Sequence, residues 1–531
     1  MSIFVHVGQC GNQVGDAFWR LTESVYEAPA TSTASLSAKQ AAASRARRKE
    51  TPPTLYREQL YHPQSGKARC ILVDTEPKVI RSMLEARQHK ATGSGSVFVP
   101  AHVHFEQSGR GNNWAMGYNL QTHRHNVLPS KSDASSMVPL TGTHKTKRVV
   151  IESRSAKQEL LEMVMESLQK EIEGLDCYQG VVLMHSLGGG TGSGLGCRVL
   201  ETIRDTYPRS YLTTVSIAPS CASGDTPLQN YNALFTLGHL QEYADCVIYK
   251  ENDDLLRTAS YWKTLRDQSQ SNASPGREMG EEGLTKAKKT SLQELNALAA
   301  ADVAGYLFPI VASTSAGSRS IQMAKPFDAG KLVSSCCPLP SAKFVDIRTG
   351  IVCDRQATQR KPSVGSVDPL FHTVIGRTND TLDAAARRLL QQTTQSFPRS
   401  STMLPCLATS AMVRGFAGSD LTEKGTQALS QQLASAFPRA AWTRISSEGI
   451  TYSSYSPFGP YSGKASVSIC VNNGHVRSSV RHFLDRGRRQ FQAKAYVHWY
   501  TQHGLEEADF ERAFDQGTKI VQEYDALLPS R

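Results

Sequence analysis

A glycine-rich run, Leu187 to Gly196, constrains the fold of this chain more than any other feature. An apolar, strand-like segment, Val181 to Met184, precedes it, and a helix-like segment, Cys197 to Ile203, follows it. Closely spaced glycines let the backbone approach a ligand and point several N–H groups in one direction. The start of a helix directly behind them adds a partial positive charge. The run therefore predicts a phosphate-binding turn between a strand and a helix, since a flexible Gly/Ser linker would lack this framing.

The run matches neither of the two common nucleotide fingerprints. It contains no G-x-G-x-x-G, and no Lys-Ser or Lys-Thr pair follows it as in a Walker A loop. The nearest similar string, Gly459 to Ala465, has the wrong spacing and no hydroxyl residue after its lysine. These absences count against an ordinary P-loop enzyme. They also count against a dinucleotide oxidoreductase, for which the sequence offers no hydride-transfer site either.

Strand-like and helix-like segments alternate over roughly the first half of the chain. The pattern predicts a strand, loop and helix over 1–26, the same over 69–90, a helix over 156–174, a strand over 180–186, a strand at Val215–Ala218, a helix at Tyr231–Tyr243 and a strand at Val247–Tyr249. This alternation predicts an α/β fold with a mostly parallel sheet covered by helices on both faces. Ligands on such sheets bind at the carboxyl ends of the strands, which the candidate motifs all follow.

The remaining segments predict the domain organisation. We expect a ligand-binding domain over 1–290 with inserts at about 27–66, 121–147 and 264–289, a long core helix over 291–310 and a smaller α/β domain over 311–474. Two long C-terminal helices over 475–531, joined at Gly504, are expected to form a helical hairpin. The inserts are rich in small or polar residues and lack periodic apolar positions. At 531 residues the chain is long enough for two or three packed units.

The net charge of +11 favours acidic partners, such as nucleic acid, an anionic membrane or an acidic protein surface. Much of the excess lies in the predicted inserts, at Arg45 to Lys49 and at Lys286 to Lys289, where solvated loop charge is the simpler interpretation. No apolar run approaches the roughly 20 residues that a membrane-spanning helix needs. The N-terminus enters a strand at once, which is unlike a signal peptide.

Cysteine and histidine usage indicates a cytosolic protein without a histidine metal site. The 11 cysteines include no C-x-x-C pair, and the adjacent Cys336 and Cys337 have poor geometry for an ordinary disulfide. Two His-x-His pairs, His102/His104 and His123/His125, stand in polar surroundings without further ligand-type residues nearby. We therefore expect reduced thiols and no metal bound at these pairs.

Several segments of the chain resemble the tubulin family, and they occur in tubulin order. Besides the glycine run they are Gly8 to Gly15, Leu72 to Ile80, Gln107 to Tyr118 and, near the C-terminus, Ala493 to Thr501 followed by Gly504 to Phe510. The resemblance covers both ends and most of the first 250 residues or so, and is weak in the middle. It implies the tubulin fold, with GTP or GDP and Mg²⁺ as cofactors.

Details of the sequence resemble the delta branch of that family. They are the opening Met1 to Ile3, the strings Asp74 to Ile80 and Gln107 to Tyr118, and Gln229 to Asn232. The chain ends Asp525 to Arg531, without the glutamate-rich tail typical of alpha and beta subunits. The delta type implies a structural role in the triplet microtubules of centrioles and basal bodies, and in assembly of cilia and flagella. The partners implied are other tubulin subunits, microtubules and centriolar proteins, without nucleic acid or a membrane span. The location implied is the cytoplasm, its cytoskeleton and the centriole.

The resemblance also implies a nucleotide site, residue by residue. The residues that match the family's guanine-nucleotide loops are Gly8, Gln9, Cys10, Gly11, Gly109, Gly111, Asn112, Asn113, Gly188, Gly189, Gly190, Thr191, Gly192, Ser193, Asp225, Gln229, Asn252 and Asn296. Gly109, Gly111, Asn112 and Asn113 match the loop that grips the terminal phosphate in tubulins. Asn252 and Asn296 match the amides that read the guanine edge, although an exposed helix position would also explain Asn296. Gln229 replaces the family's ribose-contacting glutamate. Leu292 replaces an aromatic residue that stacks on the base, which predicts weaker binding.

Glu76 and Asp74 match the acidic loop that handles magnesium in tubulins. A hard divalent cation prefers carboxylate oxygen, often through water, which suits Glu76. Capping of the helix that begins near Pro77 is the alternative for both residues, and Asp74 alone is sufficient for it.

Hydrolysis in polymerising tubulins requires a carboxylate supplied by the next subunit. Aligning Pro338-x-Pro340 with the family's Pro-x-Pro places Lys331 at the position of that acid. Asp328, one helical turn earlier, is the only acid nearby and remains the catalytic candidate if the alignment contains a local gap. The sequence therefore predicts a GTP-binding structural subunit. A dynamic self-polymerising GTPase is the alternative, and whether the chain is an enzyme stays open.

Overall fold

The computed structural model describes residues 1–26, 58–88, 97–119, 160–222, 224, 226–260, 290–316, 319–353, 374–377, 381–396, 405–416, 423–438, 440, 449–456, 458 and 463–528. Two of the predicted inserts, 121–147 and 264–289, lie outside these residues, as do Asp225 and the pair His123/His125.

Two sheets contain the strands of this part of the chain. The strands are β1 (Ser2–Val7), β2 (Cys70–Asp74), β3 (Val103–Phe105), β4 (Gly180–Ser186), β5 (Tyr211–Ala218), β6 (Cys246–Glu251), β7 (Ile310–Ala316), β8 (Arg319–Lys325), β9 (Phe344–Cys353), β10 (Val374–Arg377), β11 (Ala408–Arg414), β12 (Ile450–Ser453) and β13 (Gly463–Asn472). Strands β7 and β8 form an antiparallel hairpin of their own. All the others belong to one 11-stranded sheet.

The large sheet runs in the order β12-β11-β13-β9-β6-β5-β4-β1-β2-β3, with β10 beside β9. All neighbours from β3 to β9 in this order are parallel, whereas β13 is antiparallel to both β9 and β11. The predicted α/β fold with a mostly parallel sheet is confirmed. The sheet also continues across the expected domain boundary, because Val247 of β6 pairs with Phe344 of β9. Buried apolar runs such as that of β4 suit strands covered on both faces.

Helices cover the sheet. They are α1 (Gly8–Tyr26), α2 (Pro77–Gln88), α3 (Trp114–Tyr118), α4 (Leu160–Glu173), α5 (Gly196–Thr206), α6 (Gln229–Tyr243), α7 (Leu292–Leu307), α8 (Ala329–Cys336), α9 (Leu382–Ser396), α10 (Glu423–Ala436), α11 (Val476–Gln492), α12 (Val497–Thr501) and α13 (Glu507–Leu527). Residues 252–260 are also helical, 100–102 form a 3₁₀ turn, and 191–195 form a π-helical turn.

Local sequence explains two of these helices directly. In α4 the apolar residues Leu160, Val164 and Leu168 recur at helical spacing and are buried on one face. Helix α7 is alanine-rich and buried on almost every side from Leu295 onward, as expected for a core helix. Ser291 begins it with a capping box, in which its hydroxyl accepts from the Glu294 N–H and the Glu294 carboxylate accepts from the Ser291 N–H.

Two sequence predictions need correction at their ends. The insert expected over 27–66 does not extend to 66, because Leu60 and Tyr61 are buried in the core and Tyr61 forms a β-bridge with Ala68. The two C-terminal helices are three, because Tyr496 has a positive φ of 62° before α12 and Gly504 has a φ of 87° after it. Left-handed positions of this kind end an α-helix.

Candidate nucleotide-binding site

The predicted ligand loops meet at one edge of the parallel sheet. Strands β1, β2, β4 and β6 run in the same direction, and their carboxyl ends lead into Gly8, Thr75, Leu187 and Asn252. We call this side the carboxyl edge of the sheet. Parallel α/β sheets place their ligand sites at this edge.

The first loop and the glycine run pack backbone against backbone. A Cβ atom on Gly8 would lie 2.7 Å from the backbone nitrogen of Gly192, and Gly8 has a φ of 74° that favours glycine. Asn12 holds this turn by donating from Nδ2 to the carbonyls of Gly8 and Val73, at 2.9 Å each. Two predicted phosphate loops are thus in direct contact. Beside Gly8, Gln9 is exposed and Cys10 is half-buried.

The glycine run forms a π-helical turn, Thr191–Leu195, before α5 begins at Gly196. Ser193 is fully buried and its hydroxyl donates to the carbonyl of Gly189, so this side chain shapes the turn. His185 lies beneath it, with Nδ1 3.0 Å from the Gly192 carbonyl and Nε2 2.8 Å from the Ser216 hydroxyl. Burial lowers the pKa of His185 to about 4, so the ring is neutral and donates from Nδ1.

The acidic loop after β2 is tied to the glycine run through two hydroxyls. The Oγ1 atoms of Thr75 and Thr191 are 2.5 Å apart. Asp74 accepts from the N–H groups of Thr75 and Glu76 at 2.8 and 3.4 Å, and burial raises its pKa to about 6. These bonds order the turn before Pro77, and the Asp74 carboxylate is itself buried.

Glu76 is the exposed carboxylate of this loop, and it faces the loop that follows β3. Its Oε1 atom occupies the space that a side chain on Gly109 would need. No group of three or more ligand-type His, Cys, Asp or Glu side chains occurs in the part of the chain that the structure describes. A magnesium ion here would therefore draw most of its ligands from phosphate and water, which is common for Mg²⁺.

The loop 107–113 is largely exposed and contains two left-handed positions, Gly111 and Asn112, each with a φ of 52°. Arg110 braces it by an ion pair of 2.6 Å with Glu106. Asn113 is buried and caps α3, since its Oδ1 accepts from Ala115 N at 2.8 Å. The Asn113 side chain therefore has a structural use that its sequence match did not indicate.

Asn232 is a residue of this site to which the sequence pattern assigned no role. Its amide is fully buried in α6 and joins the glycine run to the loop 107–113, because Nδ2 donates to the carbonyls of Gly188 and Asn112, at 2.8 and 2.7 Å. The sequence does contain a signal here, because three amide residues, Gln229, Asn230 and Asn232, stand at the start of a largely apolar helix.

The predicted base-reading side lies around the start of α7. Asn296 is half-buried and donates to the Gln13 side chain of α1 at 3.2 Å, so it does not stand at an isolated exposed position. Leu292 is 65% exposed, and Asn252 is half-buried at the end of β6. Gln229 is buried and donates to the Ser220 carbonyl at 3.2 Å.

Asp253 supports the same side of the site and was not predicted. Its carboxylate accepts from the Ser220 hydroxyl and from the backbone N–H of Cys221 at 2.8 Å. It thereby connects the residue after Asn252 to the loop that follows β5. The sequence gives no pattern that would distinguish it from its neighbour Asp254.

The two candidate catalytic positions lie away from these loops. Asp328 is exposed and caps α8 by accepting from Lys331 N at 3.0 Å, while Lys331 Nζ donates to Thr451 at 3.0 Å. Helix α8 lies at the amino end of the strands. Its residue Gly330 packs against Tyr211, the first residue of β5, because a Cβ on Gly330 would lie 2.9 Å from the Tyr211 hydroxyl. Asp328 therefore lies at the edge opposite the glycine run.

Together the loops at the carboxyl edge fit a phosphate-bearing ligand. Gly8 and the glycine run pack together without a side chain between them, and a helix begins directly behind the run. Threonine hydroxyls and the exposed Glu76 carboxylate add the polar groups that a magnesium–phosphate pair requires.

Comparisons with known proteins agree with this geometry. The Tubulin/FtsZ family GTPase domain matches residues 2–128 and 129–260. The chain is 25% identical to the tubulin beta-3 chain of Zea mays over 526 residues, which covers 98% of this chain and 94% of that protein. In the described part of the chain, none of the helices is both long and apolar enough to cross a bilayer.

Proposed function

We propose that this chain, which the Tubulin/FtsZ family GTPase domain matches over residues 2–260, is a delta-type, GTP-binding structural subunit of centriolar and basal-body microtubules in the tubulin superfamily. The observation that carries the proposal is the meeting of Gly8, Thr75 and the glycine run at the carboxyl edge of the sheet. The family's GTPase domain implies binding of GTP or GDP, and the glycine-rich loops would supply backbone N–H donors for its phosphates.

Different chemical groups of the site are expected to bind the phosphates, the magnesium ion and the base. Backbone N–H groups of the glycine run and of the first loop would bind phosphate, and Glu76 would hold Mg²⁺ directly or through water. The amides of Asn252 and Asn296 offer both a donor and an acceptor to a base edge. Magnesium supplies charge neutralisation between the phosphates when it is bound.

The positions of the two edges support head-to-tail assembly with other tubulin subunits. The nucleotide loops lie at the carboxyl edge, whereas Asp328 and Lys331 lie at the opposite edge. A side chain at the opposite edge serves a neighbour's nucleotide and not its own. Contacts between two different surfaces of identical or related subunits generate open filaments.

The delta-type assignment rests on sequence details and on charge. The strings Asp74 to Ile80 and Gln107 to Tyr118 resemble that branch, and the net charge of +11 suits binding to an acidic microtubule surface. Fluorescent tagging of the chain in ciliated cells tests this part. Signal at centrioles, and loss of triplet microtubules on depletion, is expected; uniform labelling of all microtubules would contradict it.

The nucleotide itself is tested on the purified protein. We expect GTP or GDP, with Mg²⁺, to be released on denaturation and to be identified by chromatography. Recovery of an adenine or nicotinamide nucleotide would contradict the guanine assignment, whatever the cellular location of the chain.

A dynamic self-polymerising GTPase is the second candidate, and the exposure of Asp328 favours it. If Lys331 occupies the position of the hydrolytic acid, K331E raises GTP turnover in co-assembly with tubulin and D328N changes nothing. An ammonium group cannot accept a hydrogen bond from an attacking water, whereas a carboxylate can. Loss of turnover in D328N, without an effect of K331E, would favour the GTPase.

A further inference from the structure

Three side-chain hydrogen bonds, each with an asparagine as one partner, attach the short helix α12 and the turn after it to the region of the phosphate loops. Asn113 Nδ2 donates to the Trp499 carbonyl at 3.0 Å, and Asn119 Nδ2 donates to the His503 carbonyl at 2.6 Å. The third contact joins Tyr500 to Asn232, with the tyrosine hydroxyl donating to Oδ1 at 2.7 Å. The C-terminal helices thus contact the loops near the candidate site directly.

The Asn232 amide has no hydrogen-bonding capacity left over. Its two N–H groups go to the Gly188 and Asn112 carbonyls, and its oxygen accepts from Trp114 N at 2.9 Å as well as from Tyr500. An amide offers two donors and two acceptor lone pairs, so all four are used. Because the group is fully buried, water cannot replace a lost partner.

We propose that Asn232 and Tyr500 are positioning residues for the nucleotide, through which the C-terminal helices set the spacing between the glycine run and the loop 107–113. The inference rests on the proposed function, because those loops are the ones assigned to phosphate. The Tyr500 hydroxyl fixes the orientation of the amide, and the amide fixes Gly188 relative to Asn112. Neither side chain contacts the ligand.

Trp499 of α12 is in contact with both the loop 107–113 and solvent. Its carbonyl accepts from Asn113, while its side chain is 44% exposed. A partner that binds α12 therefore acts on the same loops. Because coupling between two binding sites is reciprocal, the state of the nucleotide alters the affinity of such a partner by the same factor.

The test is Y500F in the full-length protein, measured by calorimetric titration with GTP and with GDP in Mg²⁺. The substitution removes one hydroxyl and leaves the ring. The expected result is a decrease of about fivefold in the ratio of GTP affinity to GDP affinity, the equivalent of one hydrogen bond. GDP binding changes little, because the loop 107–113 is assigned to the terminal phosphate.

Y524F is the matched control. Tyr524 is fully buried in α13, and its hydroxyl bonds to Asn472 at 3.0 Å and to Phe344, far from the loops. It is expected to lower the melting temperature as much as Y500F while leaving the GTP:GDP ratio unchanged. An equal change in the ratio for both variants would reduce Tyr500 to a general structural role and overturn the proposal.

A second variant keeps the proposal testable if Y500F fails to fold. N119D replaces the amide that donates to the His503 carbonyl with a carboxylate that repels it, and Asn119 is half-buried near the surface. A decrease in the GTP:GDP ratio is again expected, and an unchanged ratio contradicts the proposal. Failure of the wild-type protein to bind any guanine nucleotide would instead refute the proposed function.

Discussion

Two clusters of buried polar side chains connect distant parts of this molecule. One consists of neutral groups and the other of charged groups. The first is the neutral cluster around Asn232, which joins the phosphate loops. The second is an ionic cluster where the two parts of the large sheet meet. In it Lys250 of β6 lies 2.7 Å from Asp302 of α7 and 2.8 Å from Asp346 of β9.

The ionic cluster contains more negative than positive charge. Arg348 completes it by pairing with Asp346 at 2.7 Å and with Asp254, so three carboxylates face two cations. Burial raises the pKa of Asp302 to about 6, even though Lys250 opposes this. In the neutral cluster, loss of a side chain breaks hydrogen bonds but leaves no charge unpaired, whereas in the ionic cluster removing one cation leaves a buried carboxylate unpaired. We therefore expect the ionic cluster to be essential for stability and the neutral cluster to affect nucleotide binding.

The largest expected effect is therefore that of K250M on stability. The variant leaves the Asp302 carboxylate buried without its cation, and breaking such a pair lowers the free energy of unfolding by about 3–5 kcal/mol. Urea denaturation followed by circular dichroism measures it. K331M is the control, because Lys331 is exposed and its loss is expected to change stability by less than about 0.5 kcal/mol.

The double variant K250M/D302N checks the cause. Neutralising the unpaired carboxylate should recover part of the lost stability, and the two changes should therefore be non-additive. A loss under about 1 kcal/mol for K250M alone would show that solvent reaches this cluster and that the comparison is wrong.

The second effect is on the dependence of stability on pH, where Asp302 of the ionic cluster and His185 beneath the glycine run should contribute with opposite sign. Between about pH 4 and 6 folded Asp302 holds more protons than the unfolded chain, so its contribution falls as pH rises, by about 3 kcal/mol. His185, beneath the glycine run, has its pKa lowered to about 4 by burial. It holds fewer protons when folded, so its contribution rises by about 3 kcal/mol between about pH 4 and 6.5.

Urea unfolding midpoints measured from pH 4 to 7 test this pair. D302N should make stability rise more steeply with pH, and H185N should make it rise less steeply, while still donating to the Gly192 carbonyl. Slopes that shift in the same direction for both buried sites would contradict the assignment of charges.

The phosphate loops were easier to predict from sequence than the ionic cluster. A strand, a glycine run and a helix are contiguous in the chain, so local pattern located the turn between β4 and α5. Lys250 and Asp302 are 52 residues apart, and a lone lysine in an apolar strand gives no sign of its partner. The pairing of β6 with β9 was equally hidden, since no local feature specifies which strand edges meet.

Within the site, sequence located the loops but not their internal supports. Gly8, Glu76 and the glycine run lie at the carboxyl edge of the sheet, as expected for loops that follow parallel strands. The roles of Asn232 and Asp253 depend on contacts between distant loops, which no spacing encodes. Asn113 shows the converse, because its match to a ligand loop gave no sign that its side chain caps α3.

The third effect is smaller in stability but specific to the phosphate loops. G8A places a side chain in a left-handed position and against the Gly192 backbone, at a strain of roughly 1–2 kcal/mol. Because the glycine run must shift, guanine nucleotide affinity should fall by at least about tenfold, equivalent to about 1.4 kcal/mol. G174A is the control, since its nearest atom would be 3.6 Å away. Unchanged affinity in G8A would remove the first loop from the site.

The smallest effect on stability is expected for the acidic loop, where the two carboxylates differ in burial. Glu76 is exposed, so E76Q should change the free energy of unfolding by less than about 0.5 kcal/mol. It should nevertheless raise the Mg²⁺ concentration needed for half-maximal GTP binding, because an amide is a poorer magnesium ligand than a carboxylate. Asp74 is buried and orders the turn through Thr75, so D74N should affect stability more than magnesium dependence. Titrating Mg²⁺ at fixed GTP, alongside urea denaturation, separates the two. If both variants lose stability equally and keep the wild-type magnesium dependence, the loop only caps α2, and the metal role belongs to neither residue.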